Sequence, residues 1–501
     1  MDDIRDSAAE DAGRSRRFRA LLIAVMLALS LGAACTGENS DSKGSAPAAV
    51  ALTDAVVAPE TTTTTLPPLP PRIGLEQVFG GLVSQEEIAV AEWVGHAALV
   101  DSKSMTAVTV GGPGLVAAGV VHLAGAAGSD AAVWTSPDGR EWSRVADDAG
   151  VFGDAGSVIG SGSDQVINDV VGGSSGVVAV GSDGVLFEHD AAVWVSSAGL
   201  LWERLPHDAE VFGGEGDQMM HSVAQIEELV IIVGESAGRA AAWVSVAGRQ
   251  WARADVNDDS VGAEIEPSVM VDVTATDTGF VAVGNAGIEA SPAVWLSPDG
   301  HSWSRLLDSM TGGASGFENP MSPMTAIAAG ERGLVVIGTE LRVDEDPTMT
   351  ARATWRPLVW TSADGFEWQL IESTFVEVTD EKETSRYAYL KDGSPVVLAD
   401  VAWAGDQLVA IGEYDLEPSA YAVPNFVTLW VSTDDGSTWE VADEATLPAT
   451  AAGRGARAFA RFGESFVLVG LDDVAAGEHP DYGWMIYAET PAVWIAEVVA
   501  P

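Results

Sequence analysis

The stretch AVWTSPDGREW at residues 132–142 decides the fold, because it joins two tryptophans through a short polar turn. Pro137 presets φ at the first turn position, and Gly139 provides the left-handed conformation that the third position needs. A three-residue loop here predicts a β-hairpin in which Trp134 falls opposite Trp142. Facing indole rings contribute about 0.5–1.5 kcal/mol beyond the burial of their surface.

This unit recurs along the chain. An Ala-Val-Trp motif or a close variant is centred on seven tryptophans: Trp134, Trp194, Trp243, Trp295, Trp360, Trp430 and Trp494. Upstream of each, an apolar run ends in a glycine: Gly119, Gly181, Gly234, Gly284, Gly338, Gly412 and Gly470. Eleven residues before each glycine stands an apolar residue: Val108, Val170, Val223, Val273, Ile327, Val401 and Phe459. Seven copies that keep one spacing indicate a repeat architecture.

The apolar runs are short, rich in valine and bounded by glycine and aspartate, which is typical of strands rather than helices. Successive apolar positions, as in VAVG at residues 178–181, predict strands that are covered on both faces. Blades stacked around a central axis provide that environment. We therefore predict an all-β, seven-bladed β-propeller over residues 72–501.

The turn sequences resemble the Asp-box (BNR) repeat, Ser-x-Asp-x-Gly-x-x-Trp. Residues 432–439 match it in full, and residues 136–142, 297–303 and 362–368 match with one residue deleted. Two copies have lost the aspartate, at Ala198 and Ala247. The resemblance covers about residues 90–501 and is to sialidase-like and other propellers. It implies that these turns are structural and lie on the side away from the ligand funnel.

The seventh copy ends without a second tryptophan, so its outer strand must come from elsewhere. The segment Ala91–Leu99, which contains Trp93, resembles an orphan outer strand. We therefore predict that an N-terminal strand completes the last blade and leaves no open sheet edge.

The N-terminal part reads as an export segment followed by a tether. Several arginines between residues 14 and 19 precede an apolar run at 20–31, small residues and Cys35. This order predicts a signal peptide over residues 1–35. It resembles a bacterial lipobox, which implies lipid attachment at Cys35 and a position on the outer face of the cell membrane. An uncleaved signal anchor and ordinary cleavage after Ala34 are the alternatives. Residues 36–71, rich in Pro, Thr and Ser, predict an extended linker.

The charge and the cysteine count limit the partners. The formal net charge is −49, which repels phosphate backbones and argues against nucleic acid. The single cysteine excludes an internal disulfide. We predict a monomer that contacts the membrane only through its lipid, with an unknown extracellular ligand that could be a glycan, a peptide or a protein.

Two loops share a pattern and predict a ligand face at the funnel. They end in Asp164-Gln165 and Asp217-Gln218. The alternative is a common loop conformation in sister blades.

A second set of candidates lies on the innermost strands, one residue before the apolar marker. Asp169, Asp272 and Asp400 occupy this position in blades two, four and six. If they converge on the axis, they could hold Ca²⁺ or water, because hard cations prefer oxygen ligands. The alternative is that each aspartate accepts hydrogen bonds from a neighbouring backbone. His221, at the top of an innermost strand, and Arg457, on another, complete the candidate ligand face.

No catalytic constellation emerges from the sequence, and no cofactor other than Ca²⁺ is indicated. The sialidase-like resemblance implies an arginine triad, a tyrosine nucleophile and an acidic partner, and the nearest matches are Arg72, Arg457, Arg461, Tyr387 and Tyr389. These do not form a triad from the sequence alone. The favoured prediction is a non-catalytic binding or scaffolding module of the cell envelope. The alternatives are a sialidase-like glycoside hydrolase and a purely structural envelope protein.

Overall fold

The protein is described from a computed structural model. The described residues are 72–79, 90–94, 97–100, 102–122, 128–146, 149–153, 163–185, 188–257, 266–288, 290–306, 324–344, 352–371, 373–376, 396–414, 426–441, 454–478 and 485–499. The predicted signal peptide, Cys35 and the predicted linker up to residue 71 lie outside them. No helix in this described part of the chain is long and apolar enough to cross a membrane.

The described elements are almost entirely β-strands. Three strands precede the first blade: β1 (Arg72–Phe79), β2 (Val90–Val94) and β3 (Ala97–Val100). Blade 1 contains β4 (Ser102–Gly111), β5 (Gly114–His122), β6 (Ser129–Ser136) and β7 (Ser143–Arg144), and a short helix, α1 (Ala149–Phe152), follows it. Blade 2 contains β8 (Asp164–Gly173), β9 (Gly176–Val185), β10 (Glu188–Ser196) and β11 (Glu203–Arg204). Blade 3 contains β12 (Gln218–Ile226), β13 (Leu229–Ser236), β14 (Arg239–Val246) and β15 (Gln250–Arg253).

The later blades follow the same plan, and two of them gain a fifth, parallel strand at the outer edge. Blade 4 contains β16 (Asp255–Asn257), which is its added strand, then β17 (Ser268–Thr276), β18 (Gly279–Ala286), β19 (Ser291–Ser297) and β20 (Ser302–Arg305). Blade 5 contains β21 (Met324–Gly330), β22 (Gly333–Asp344), β23 (Arg352–Ser362) and β24 (Gln369–Ile371). Blade 6 contains the added strand β25 (Thr374–Val376), then β26 (Val396–Ala404), β27 (Gln407–Tyr414), β28 (Phe426–Ser432) and β29 (Thr438–Val441). Blade 7 contains β30 (Arg454–Phe462), β31 (Ser465–Glu478) and β32 (Met485–Val499).

The sheets form a closed seven-bladed β-propeller, as predicted. The first strand of each blade contacts the first strand of the next, and β30 contacts β4 to complete the circle. Seven apolar clusters lie between the blades, one at each interface. The third strand of blade 1 is buried along its whole length. Burial on both faces therefore explains the continuous apolar runs of the sequence.

The last blade is completed by an N-terminal strand, but not by the one around Trp93. Strand β1 pairs antiparallel with β32, from Arg72 opposite Val499 to Phe79 opposite Val493. The predicted closing segment instead forms the separate two-stranded hairpin β2–β3. The sequence of β1 contains no tryptophan. The tryptophan pattern therefore indicated the wrong segment.

The two tryptophans of each hairpin do not face each other, and this prediction is wrong. In blades 1 to 4 the first tryptophan lies opposite an arginine, as Trp134 does opposite Arg144. The second tryptophan folds back onto its own turn, where the Nε1–H of Trp142 donates to the carbonyl of Gly139 at 2.7 Å. The same bond recurs at five further turns, from Trp202, Trp251, Trp303, Trp368 and Trp439.

A β-bulge explains why the second strand of a blade contains an obligatory glycine. Every innermost strand carries a bulge, and in blade 2 it lies between Ile167 and Asp169. The bulge brings the carbonyl of Val166 so close to Gly181 that a Cβ there would lie 1.9 Å from the oxygen. Glycine is therefore the residue that fits. The same steric limit applies at Gly119, Gly234, Gly284 and Gly470.

Candidate functional site

The bulges build a ring of polar side chains around the axis. The bulged residues are Thr106, Asn168, His221, Val271, Thr325, Ala399 and Arg457. The residues that follow them are Ala107, Asp169, Ser222, Asp272, Ala326, Asp400 and Ala458. A bulge changes the direction of the side chains beside it, and bulges are frequent next to functional sites. We call Asp169, Ser222, Asp272, Asp400 and His221 the inner ring.

Each aspartate of the inner ring links its blade to the next. Asp400 accepts the peptide N–H of Val401 in its own strand at 2.8 Å, and that of Phe459 in blade 7 at 3.1 Å. Asp272 likewise accepts from Val273 at 2.7 Å and from Ile327 in blade 5 at 2.8 Å. Each aspartate thus gives a side-chain acceptor to backbone N–H groups of two neighbouring innermost strands.

Asp169 and Asp272 meet at one hydroxyl. Ser222 Oγ lies 3.0 Å from Asp169 Oδ2 and 2.7 Å from Asp272 Oδ1. Because a serine hydroxyl carries a single hydrogen, it cannot donate fully to both oxygens. Both contacts are satisfied when one carboxyl carries a proton and donates it to Ser222. Two acceptors that share a hydroxyl also lie within about 6 Å of each other.

The surroundings favour protonation of the aspartates. Burial raises the pKa of Asp169 to about 7, and the charge of Asp272 adds to this effect against the opposing hydrogen bonds. Burial, followed by the charge of Asp272, raises the pKa of Asp400 to about 8. Burial also raises the pKa of Asp272. All three residues are partly exposed and lie on the innermost strands of their blades.

His221 stands at the bulge before Ser222 and is half-buried. Burial lowers its pKa to about 4, so its imidazole is neutral at pH 7. A neutral ring offers one donor and one acceptor nitrogen to a polar ligand. Arg457 occupies the matching bulge of blade 7 and is exposed.

Asp164 is the first residue of β8, and Asp217 directly precedes β12. Each accepts hydrogen bonds from a residue of the preceding blade. Asp164 accepts from the backbone and hydroxyl of Ser129 at 3.0 and 2.8 Å. Asp217 accepts from the backbone of His189 at 3.1 Å and lies 3.2 Å from its ring Nδ1. Their shared pattern corresponds to a shared way of joining neighbouring blades.

Asp169, Asp272 and Asp400, for which both a Ca²⁺ site and hydrogen bonds to backbone were open, form no metal-ligand group in the part of the chain that the structure describes. There, no group of three or more His, Cys, Asp or Glu side chains is arranged to hold a metal ion. The oxygens of Asp169, Asp272 and Asp400 instead accept peptide N–H groups. Ca²⁺ therefore finds no ready ligand set among these residues.

The arginines do not assemble into a triad among the described residues. Arg457 and Arg461 lie on the innermost strand of blade 7, and Arg72 lies on its outermost strand. Four others lie on or beside outer strands, at Arg144, Arg204, Arg253 and Arg305. Tyr387 and Tyr389 lie outside the described residues.

The sequence missed the role of Ser222, although it stands in the same repeat position as the three aspartates. Only its position between two aspartate-bearing blades makes its hydroxyl a shared partner. The available signal was the order Asp169, Ser222, Asp272 in this column, where the one serine stands between two aspartates.

No protein-family model and no curated protein matches the chain. Among solved structures, an α-L-arabinanase of Penicillium chrysogenum is similar, with 11% identity and a TM-score of 0.38 over 79% of this chain and 93% of that one. A putative glycoside hydrolase of Parabacteroides distasonis is similar with 14% identity and a TM-score of 0.33, over 76% and 96% of the two chains. An ancestral GH74 enzyme is similar with 11% identity and a TM-score of 0.38, over 78% of this chain and 49% of that one.

These similar structures correct the favoured functional prediction. The favoured prediction of a non-catalytic binding or scaffolding module disagrees with them, since the similar solved structures are glycoside hydrolases. The alternative of a glycoside hydrolase agrees with them better. At this level of identity they give no residue-by-residue correspondence, so any site must be argued from the side chains of this chain.

Proposed function

We propose that the protein is a glycoside hydrolase whose reacting groups belong to the inner ring. The observation that carries the proposal is the pair Asp169 and Asp272, held at 3.0 and 2.7 Å from the one hydroxyl of Ser222. Glycosidic bonds are usually hydrolysed by two carboxyl groups, one protonated and one ionised. A pair that shares a proton near pH 7 supplies both forms at once.

Asp169 is the proposed acid, because its pKa of about 7 leaves much of it protonated at neutral pH. Its proton passes to the glycosidic oxygen while the bond from that oxygen to the anomeric carbon breaks. Asp272 is the proposed nucleophile, and its carboxylate forms the new bond to that carbon. Water then releases the sugar, giving its proton to Asp169 and restoring the carboxylate of Asp272. A carboxyl separation of about 5–5.5 Å is typical of this retaining route.

His221 and Ser222 are the proposed positioning residues. Ser222 fixes the two carboxyl groups relative to each other across blades 2, 3 and 4. His221, neutral at pH 7, can accept or donate a hydrogen bond to a sugar hydroxyl without adding charge to the site.

The test is hydrolysis of aryl glycosides, including arabinofuranosides, mannosides and a fluorogenic sialoside, by the full chain and its variants. Asp169→Asn and Asp272→Asn should each lower kcat/KM by about 100-fold or more. Asp299→Asn is the matched control, because Asp299 lies in the turn of blade 4 and accepts the N–H groups of His301 and Ser302. It should leave the rate unchanged.

Ser222→Ala keeps both carboxyl groups and should shift the pH–rate profile more than it lowers the rate. Absence of turnover on every glycoside would overturn the proposal. Turnover that survives Asp169→Asn and Asp272→Asn in folded protein would also overturn it. Melting curves for each variant separate a lost reaction from a lost fold.

We also infer that the chain is exported and held by a lipid on Cys35, with turns of the Asp-box type facing away from the ligand. This rests on the basic, apolar and small residues before the cysteine. Labelling with a radioactive fatty acid in a bacterial host should mark the wild type and not Cys35→Ala. Equal labelling of both, or of neither, would reject the anchor.

A further inference from the structure

A polar cleft of about 310 Å³ opens on blade 3, away from the inner ring. Arg253 and Arg239 line it together with Ser236 and Val256. The rest of its wall is small, formed by Ala240, Ala241, Ala242 and Ala254. Alanines leave room for a ligand beside the two guanidinium groups.

Arg253 is a half-buried cation whose partners among the described residues are all neutral. It donates to Ser236 Oγ at 3.0 Å, to the carbonyl of Gly213 at 2.7 Å and to Gln218 Oε1 at 2.9 Å. Its guanidinium also lies 5.4 Å from the ring centre of Trp243. These contacts fix the group in place but do not neutralise it. Burial lowers the pKa of Arg253.

In blade 2, the arginine that corresponds to Arg253 has an acidic partner. There Arg204 lies over Trp194 as Arg253 lies over Trp243. Arg204 pairs with Asp183, two residues after the glycine of its second strand. Blade 3 has Ser236 at that position. The carboxylate of blade 2 is thus replaced by a hydroxyl and an open cleft.

We propose that the cleft at Arg253 and Arg239 binds a carboxylate group of a small ligand. Guanidinium is the side chain best suited to carboxylates, because its planar donors match the two oxygens. The missing Asp183 equivalent defines the place where the oxygens bind. Arg239, which is exposed at the rim, adds a second positive charge in a chain of net charge −49. This binding site goes beyond the proposed hydrolysis and does not depend on it.

The test is calorimetric titration of the full chain with D-glucuronate, with N-acetylglycine and with D-glucose as the neutral reference. At least one of the carboxylates should bind about tenfold or more tightly than glucose. Tighter binding of D-glucuronate would indicate a carboxylate on a sugar, and tighter binding of N-acetylglycine a carboxylate on a peptide. Binding of a monosaccharide needs no turnover, so failure of the hydrolase proposal leaves this result unaffected.

Two variants remove the site in different ways. Arg253→Gln removes the cation and should lower the affinity by about tenfold. Ser236→Asp keeps the cation but introduces the carboxylate of blade 2, so it should also abolish binding and should raise the melting temperature. Arg249→Gln is the control, because Arg249 pairs with Glu203 at 2.9 Å on the surface. It should bind like the wild type.

The proposal is overturned if neither carboxylate binds better than glucose. It is also overturned if Ser236→Asp, which retains the folded cleft, binds the carboxylate as tightly as the wild type.

Discussion

Trp134 lies directly opposite Arg144 in the antiparallel pair β6–β7. The turn between them needs more residues than a three-residue loop. Ser136 Oγ accepts the N–H of Gly139 at 2.8 Å, and Asp138 Oδ1 accepts those of the two residues after the glycine. The pairing is thereby displaced by two residues. An even displacement keeps every side chain on its face of the sheet, so Trp142 stays buried.

The turn of blade 2 lacks this aspartate and can be repaired. Ala198→Asp should accept the N–H groups of Leu200 and Leu201, as Asp138 does for its neighbours, and should raise the free energy of unfolding by about 0.5–1 kcal/mol. Urea unfolding measures the change.

Ala247→Asp is the comparison, because Ala247 has a φ of 62° and its turn has a different shape. It should give no gain. Equal gains at both sites would show that the added charge, rather than the turn bonds, is responsible.

The glycine of the second strand should tolerate no side chain. Gly181→Ala places a Cβ 1.9 Å from the carbonyl oxygen of Val166, so the chain must shift or fail to fold, at a cost of about 3 kcal/mol or more. Thermal unfolding and the yield of soluble protein measure it.

Gly238→Ala is the control. Gly238 has a φ of 74° with nothing within 4 Å of an added Cβ, so only backbone strain of about 1 kcal/mol is expected. If Gly181→Ala and Gly238→Ala have the same melting temperature, the close contact with the bulge is not the reason for glycine at position 181.

Stability should fall as the pH rises through the neutral range. The pKa of Asp169 is raised to about 7 and that of Asp400 to about 8, so from about pH 4 upward the folded state binds more protons than the unfolded state. Each such group lowers the free energy of unfolding by up to about 1.4 kcal/mol per pH unit until its folded pKa is passed. Urea unfolding between pH 5 and 8, a range set by these raised values, should show this slope.

Asp400→Asn removes one titrating group and should flatten the curve, most visibly toward pH 8. Asp299→Asn is the matched control. Hydrogen bonds from the backbone lower the pKa of Asp299, so its contribution is present at neutral pH and is lost only on acidification. If the free energy of unfolding of Asp400→Asn falls with pH as steeply as that of the wild type, the carboxyl of Asp400 does not cause the pH dependence.

Closure of the last blade should depend on β1 and not on the hairpin that contains Trp93. The double substitution Leu75→Pro and Glu76→Pro disrupts pairing with β32, because proline cannot donate to a strand ladder. The melting temperature should drop by about 10 °C or more.

Ala91→Pro and Glu92→Pro disturb the β2–β3 pair and should change the melting temperature by a few degrees at most. A larger drop in melting temperature for the β2 variant than for the β1 variant would show that the segment around Trp93 is the closing strand.

The sequence predicted the propeller because its repeats carry the core residues of each blade interface, and the apolar marker stands eleven residues before the glycine in every copy. The prediction failed where the structure depends on hydrogen bonds in a turn, on backbone pairing or on contacts between blades, which the spacing of the repeats does not reveal. The turn around Asp138 absorbs two extra residues through its hydrogen bonds, which displaced the tryptophans. The closing strand pairs through its backbone and has no repeat residue to identify it. In the inner ring, the aspartates were visible in the sequence, but their pairing through Ser222 needs three blades in place.

The pairing of Arg72 with Val499 has a consequence for the order of synthesis. Arg72 is synthesised long before Val499, so β1 has no strand to pair with until β32 has been made. A nascent chain that lacks β32 has no place for β1 and leaves β31 with an open edge. The last blade can therefore be completed only after β32 has been synthesised.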